Sequence, residues 1–386
     1  MIFLETTFWL LVALVAYVYL GYPLLLALLR VLFGARPPAV SSSLPSVTLI
    51  VSAYNEAEVI GAKIENSLAL DYPRELLEIL IVSDASDDAT DDIVRGFELQ
   101  GVRLLRMADR GGKTVGLNAA VTAASGDIVV FSDANAMYER AAIRALVRNF
   151  GEASVAAVVG ESTYRDSAND AERSESAYWK YEMTIKRLET QLGSTVGGDG
   201  AIYAIRKECY RPMAPDALSD FVNPLQIVAQ GRRCIYEPEA VSIEEAAGSF
   251  EKEFRRKVRI VNRGWRAMMS MKHLLNPFRY GLFAWELISH KVLRWLAPFL
   301  LLALFIVNFV LSVQHVTYTV MLVLQIGFYG TAVAGALLRR SHRLALPLSI
   351  PFYFCLVNLA CIRGILGAYR GETYTTWATA RAENRL

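Results

Sequence analysis

Three runs of aliphatic and β-branched residues end in polar clusters, Ala53-Tyr-Asn-Glu56, Ser83-Asp-Ala-Ser-Asp-Asp88 and Ser132-Asp-Ala-Asn-Ala136. In each, an acidic or amide side chain stands where an extended segment stops. Asp133 and Asn135 are two residues apart, so on an extended strand end they share one side. A carboxylate with an amide carbonyl is a hard-oxygen pair suited to Mg2+ or Mn2+ shared with a diphosphate. Taken alone, the same pair is also a common turn. Asp84 reads either as a ligand group or as the N-cap of a helix beginning near Asp87. Gly111-Gly-Lys113 adds a cation on flexible backbone.

Other chemistries are excluded by composition. The four histidines, His273, His290, His315 and His342, all lie beyond the segment that carries these clusters, leaving it no imidazole for a nucleophilic triad. Cys209, Cys234, Cys355 and Cys361 form no C-x-x-C pair, so neither a disulfide framework nor a zinc site is expected. Acid–base work falls to carboxylates. A net charge of +2 without a basic cluster in the central region argues against nucleic acid.

The elements that must position these residues follow from pattern. Val47–Ser52, Leu77–Ser83, Val102–Leu105, Asp127–Ser132 and Val155–Gly160 alternate with amphipathic segments, which predicts an α/β domain with a mostly parallel sheet. Continuously apolar strands belong where helices cover both faces, and ligands then sit beyond the strands' carboxyl ends. Those are the ends where the acidic clusters occur. The sheet pattern stops after Cys234–Ala240.

At 386 residues, 54% hydrophobic and 20% charged, the chain is more apolar than a soluble protein. Charge is missing for 24 residues after Glu5, for 44 after Arg294 and for 19 after Arg343, and these gaps read as membrane spans. Residues 1–36 are a retained anchor, 37–248 a soluble domain, 249–290 basic and interfacial helices, and 291–386 a region of about three hydrophobic segments with a tail. Arg30 and Arg36 after the first span predict a cytoplasmic domain on a multi-pass inner-membrane protein. The arginines of the tail favour the same side as the domain, whereas counting four spans favours the other. A re-entrant or interfacial last segment would reconcile the two.

The order of motifs resembles membrane-integrated family 2 glycosyltransferases, the group containing cellulose, hyaluronan and Nod-factor chitin-oligosaccharide synthases. The motifs are Ala53-Tyr-Asn-Glu56, Asp84, Gly112-Lys113 with Leu117-Asn118, Gly126-Asp127 leading to Ser132-Asp-Ala-Asn135, and Gly198-Asp-Gly-Ala201 followed by Tyr203-Ala-Ile-Arg206. The resemblance implies a GT-A fold, the Rossmann-like nucleotide-diphospho-sugar transferase domain, set between transmembrane helices. It also implies a Mg2+- or Mn2+-dependent inverting transfer from a nucleotide sugar, UDP being the expected nucleotide. Tyr54, Glu56 and Asp84 would hold the nucleoside, Lys113 and Asp133 the diphosphate, and Asp133 with Asn135 the metal.

By the same resemblance Asp220, in Leu218-Ser-Asp-Phe221, takes the place of the catalytic base, with Asp199 in reserve. Asp199, Gly200, Arg256, Arg259 and Trp265 fall on the acceptor side. Arg256 and Ile260 stand where the processive synthases carry Gln and a sugar-stacking Trp, so short products or single additions are expected. The acceptor is a saccharide or a polyprenyl-linked glycan in exopolysaccharide or envelope synthesis at the lipid bilayer, with an export partner to complete it. The alternatives are a single-addition polyprenyl-phosphate glycosyltransferase and a catalytically silent membrane sensor or scaffold that binds nucleotide sugar.

Overall fold

The computed structural model describes residues 1–164, 170–244, 250–338 and 346–376. An eight-stranded sheet forms the centre, in the order β3-β2-β1-β4-β7-β6-β8-β5. Its strands are β1 (Val47–Ala53), β2 (Leu77–Ser83), β3 (Val102–Arg106), β4 (Ile128–Asp133), β5 (Met137–Tyr138), β6 (Val155–Tyr164), β7 (Ile202–Arg206) and β8 (Arg233–Glu244). The helices of the first half are α1 (Ile2–Ala16), α2 (Tyr22–Phe33), α3 (Ile60–Leu68), α4 (Thr90–Arg95), α5 (Lys113–Ala123) and α6 (Ala142–Val147). Those of the second are α7 (Asp170–Leu192), α8 (Ser219–Ala229), α9 (Phe250–Ser270), α10 (Pro277–Leu287), α11 (Leu293–Leu311), α12 (Val316–Leu338) and α13 (Leu346–Tyr369).

Alternate side chains of each central strand enter opposite layers. Leu49 and Val51 of β1 pack with Ile60 and Ile64 of α3 and Ile143 of α6, whereas Ile50 between them packs with Leu117 and Val121 of α5. With both faces covered, no position on the strand can be polar without cost, and chemistry is confined to the strand ends.

The sheet is mostly parallel, as the pattern predicts, but not wholly so. Strands β1 to β4 pair in parallel, but β7 runs antiparallel to both β4 and β6. The reason is positional: Asp199 and Gly200 sit just before β7 and Asp133 ends β4, so β7 must start where β4 stops. Strand β8 also outlasts its expected end. Its register with β6 shifts between Tyr236 and Val241, around Pro238, and pairing then resumes through Glu244. A proline is tolerated at such an irregularity because no ladder bond is needed from it.

Among the described residues four helical stretches, Ile2–Phe33, Pro277–Leu311, Val316–Leu338 and Pro347–Tyr369, are long and apolar enough to cross a membrane. The segment expected to be interfacial, from Pro277 to His290, continues into α11 as part of the second stretch. Phe8 of α1, Leu311 of α11 and Tyr318 of α12 form one cluster. Near the end of the last helix Asn262 of α9 donates to the Gly364 carbonyl at 3.3 Å, and a Cβ on Gly112 would collide with the Thr375 carbonyl. Residues 371–376 therefore lie against the domain that holds the sheet. The tail arginines Arg381 and Arg385, the loop residues Arg339, Arg340 and Arg343, and the 248/249 boundary lie outside the described residues.

This arrangement predicts a shared compartment. Single cysteines at the exposed positions Glu98 and Thr373 should react with an impermeant reagent from the same side of the membrane; labelling from opposite sides would rule out the contact of this segment with the domain.

Candidate active site at the strand ends

The first two loops are interlocked. Beyond β1, Asn55 has φ +53°, and beyond β2, Ala85 has φ +56°, both left-handed positions that cost energy in a non-glycine residue. Cross-loop bonds hold them: Asn55 Nδ2 donates to Asp87 at 2.6 Å, the Asp87 N–H returns to Asn55 Oδ1 at 3.0 Å, and the Glu56 N–H donates to Thr90 Oγ1 at 2.9 Å. Tyr54 is thereby presented with the Arg110 guanidinium 3.7 Å from its ring centroid.

Asp84 is not a helix cap; Asp88 accepts the first N–H of α4, from Thr90, at 2.9 Å. The buried Asp84 carboxylate instead accepts the N–H groups of Gly111 and Gly112, at 2.8 and 2.9 Å. Gly112 has φ +87°, which a side chain would resist. Asp84 thus shapes the turn that launches Lys113 into the crevice.

Lys113 is the hub. Its Nζ is ion-paired with Asp133 and lies 3.4 Å from the Gly200 carbonyl. A Cβ on Gly200 would stand 3.8 Å from both the Asp220 carboxylate and that Nζ. The Gly198 N–H donates to the Asp220 carbonyl at 2.7 Å, so the turn before β7 rests directly on the first turn of α8. Asp199 uses one oxygen on the Ala201 N–H, at 3.1 Å; its other oxygen, Oδ2, is buried without a partner among the described residues.

These carboxylates perturb one another. Burial raises the Asp220 carboxyl above its ordinary value and Asp199 adds to this, against the pull of Lys113 and Arg263. Burial, with the charges of Asp199 and Asp133, pushes Glu244 up to about 8, while Arg256 and Lys113 oppose the shift. Glu244 reaches the site because Ile243 of β8 pairs with Met137 of β5, just past Asn135. Among the described residues no three His, Cys, Asp or Glu form a complete metal cage. A partnerless carboxylate oxygen among crowded acids nevertheless fits a Mg2+ or Mn2+ ion that draws its remaining ligands from a diphosphate and water.

The structure therefore brings together Asp84, Lys113, Asp133, Asp199, Gly200 and Asp220, with Tyr54 beside them and Arg256 within electrostatic reach. Asn135 is partly buried on the same turn, and Arg259 is partly buried on α9. The backbone of Glu56 starts α3, accepting from Val59 and Ile60 at 2.9 Å. Trp265 is elsewhere: it is 6% exposed, edge-on to Trp295 at 6.3 Å, in the cluster of α9, α11 and α13. Its indole is not available as the substitute stacking surface for Ile260. Arg110, Arg263 and Glu244 escaped the sequence reading. The one available signal, the acidic pair that begins with the last residue of β8, becomes meaningful only with the strand register.

Known proteins similar to this chain share its fold. Residues 48–210 match the Glycosyl transferase family 2 model and form a domain of that kind. The chain is 25% identical over 220 residues to the poly-beta-1,6-N-acetyl-D-glucosamine synthase of Staphylococcus aureus, covering 55% of this chain and 53% of the relative. It is 31% identical over 164 residues to the beta-monoglucosyldiacylglycerol synthase of Synechocystis, covering 41% and 33%. The chain thus spans about half or less of the length of these curated relatives. A mannosyltransferase from Pyrobaculum calidifontis, solved with GDP-Man and Mn2+, superposes with a TM-score of 0.70 at 22% identity, over 95% of this chain and 99% of that one. The fold is the GT-A arrangement that the motif order implies.

The close approach at Gly198 is directly testable. A Cβ there would lie 2.5 Å from the Asp220 carbonyl oxygen, backbone that cannot swing aside. Gly198→Ala should destabilise the protein by about 1–3 kcal/mol in thermal or denaturant unfolding. Gly200→Ala, with its nearest atoms at 3.8 Å, should not.

Proposed function

We propose that this chain transfers a sugar, with inversion, from a nucleoside diphosphate donor to a hydroxyl of a saccharide or lipid-linked acceptor at the cytoplasmic face of a membrane. The observation that carries the reading is the pairing of Lys113 with Asp133 on one side and its approach to Asp220 on the other. A cation facing a diphosphate site and a carboxylate raised by burial then share one crevice.

In this reading Tyr54 and Asp84 serve the nucleoside end, Asp84 through the turn that it holds, while Lys113 and Asp133 face the diphosphate. Bound Mg2+ or Mn2+, held by Asp133 with the Asn135 carbonyl, would offset charge on the departing nucleoside diphosphate. Asp220 accepts the proton of the acceptor hydroxyl as its oxygen bonds to the anomeric carbon. The bond from that carbon to the diphosphate oxygen breaks on the opposite side. A phosphate acceptor would need no such base, which favours a hydroxyl acceptor over the polyprenyl-phosphate alternative.

The relatives that make poly-N-acetylglucosamine and monoglucosyldiacylglycerol support an exopolysaccharide or a glycolipid product. The neighbour solved with GDP-Man makes GDP the nucleotide to test beside UDP. Burial of Trp265 and the aliphatic Ile260 support short products. A polymeric product would call for an export partner.

A donor panel assayed by metal-dependent release of nucleoside diphosphate, with the product sized, tests the whole reading. No release from any donor would favour the sensor or scaffold. Asp220→Asn should lower transfer by about 10²–10⁴-fold with donor binding nearly intact; wild-type turnover would move the base to Asp199. Because the base must be ionised and its carboxyl is raised, the rate should climb with pH through a value above the ordinary carboxylate range, and this limb should disappear in the mutant. Asp133→Ala should weaken donor binding and metal dependence together, and an unchanged metal titration would remove its ligand role.

A further inference from the structure

The two halves of the proposed site lie at the end of β4 and in the turn before β7, just past the last pair of their ladder, Ser132 with Ile202, and a buried tyrosine ties them there. Tyr138 of β5 is 3% exposed, and its hydroxyl lies 2.9 Å from the Phe131 carbonyl and 3.0 Å from the Ala201 carbonyl. Phe131 stands two residues before Asp133, and Ala201 follows Gly200. One phenolic proton is shared between the donor-side strand and the acceptor-side turn.

Helix α3 holds this tyrosine's backbone and ring, beside the β8 strand that pairs with it at Ser242. Asn66 Nδ2 donates to the Tyr138 carbonyl at 2.9 Å, and the Tyr138 N–H donates to Asn66 Oδ1 at 2.8 Å. The fully buried Lys63 ammonium lies 4.0 Å from the ring centroid and donates to the Ala136 carbonyl, within the turn that carries Asp133 and Asn135. A buried tyrosine ordinarily just satisfies its hydroxyl somewhere in the core. Here one acceptor lies in β4 two residues before Asp133 and the other in the turn before β7, beyond the last β4–β7 pair, Ser132 with Ile202, and phenylalanine would fill the same volume without this extra bridge.

We infer that Tyr138 is a positioning residue for the transfer: its hydroxyl sets the separation between Asp133 and the Asp199–Gly200 turn, and through that turn the approach of Asp220 to the donor. The inference rests on the reading of Asp133 as donor-side and Asp220 as base. A slackened bridge leaves each half able to bind but spoils their alignment, so the loss belongs in kcat and not in donor KM.

The test uses full-length Tyr138→Phe in lipid nanodiscs with a donor that the wild-type protein hydrolyses. Transfer kcat should fall about tenfold with donor KM within about twofold, and the ratio of donor hydrolysis to transfer should rise. Asn66→Ala, which releases the Tyr138 backbone but keeps the hydroxyl, should show a weaker form of the same split, and it decides the matter should Tyr138→Phe fail to fold. A lowered unfolding temperature with unchanged kcat and unchanged hydrolysis-to-transfer ratio would reduce Tyr138 to packing and overturn the inference. A raised donor KM at constant kcat would overturn it as well. Absence of nucleoside diphosphate release by the wild type from every donor would instead defeat the underlying reading.

Discussion

Asp133, Asp199, Asp220 and Glu244 gather at one edge of a sheet, and like charges so close cannot all remain ionised without nearby cations. Much of the architecture answers that requirement. Lys113 sits among them, pairing with Asp133 and lying close to Gly200 and Asp220. The buried Lys63 stands behind the Asp133 turn. Lys186 lies behind the next one, its Nζ 3.4 Å from the Gly198 carbonyl. Arg263 reaches in from α9 through the Asp216 and Ala217 carbonyls. The Gly-rich turns follow from the same need, because loops carrying charges this close must approach backbone to backbone.

The site is also tied to the membrane helices. Glu189 of α7, with no exposed surface, accepts from Tyr22 of α2 at 2.6 Å, from Thr195 Oγ1 at 3.1 Å and from the Val196 N–H at 3.0 Å, and contacts His290 at 2.6 Å. Two residues after Val196 comes Gly198, whose N–H meets Asp220. The turn that supports the proposed base is thus anchored in the junction between the domain and the apolar helices. Removing one partner from a buried charged network typically costs about 3–5 kcal/mol. Loosening of the junction should therefore be felt as loss of fold before loss of affinity.

Residues that operate locally were readable from the chain. Apolar runs bounded by turns marked β1, β2, β3, β4 and β6, because a strand covered on both faces must be apolar throughout its length. The charge-free gaps marked the apolar helices for the analogous reason, that lipid offers no compensation to a charge. Asp84, Lys113, Asp133 and Asp220 stood out because each follows or begins an element whose end could be read from pattern and motif order.

What remained hidden was whatever depends on partners distant in sequence. The role of Asp84 as acceptor for Gly111 and Gly112 required the packing of two loops, and the entry of Glu244 required a β8 register that passes an irregularity at Pro238. Trp265 looked accessible because a helical sequence does not say which neighbour will cover a given face; α11 and α13 cover it. Charge and span counting oppose each other over the last segment, and neither could show that Gly364 packs on α9 or that Thr375 approaches Gly112. Sequence alone therefore determined the class of fold and the residue types at its strand ends, since burial acts on each element separately. Tertiary structure decided which of those residues meet, since meeting depends on register, on crossing direction and on the covering of one element by another.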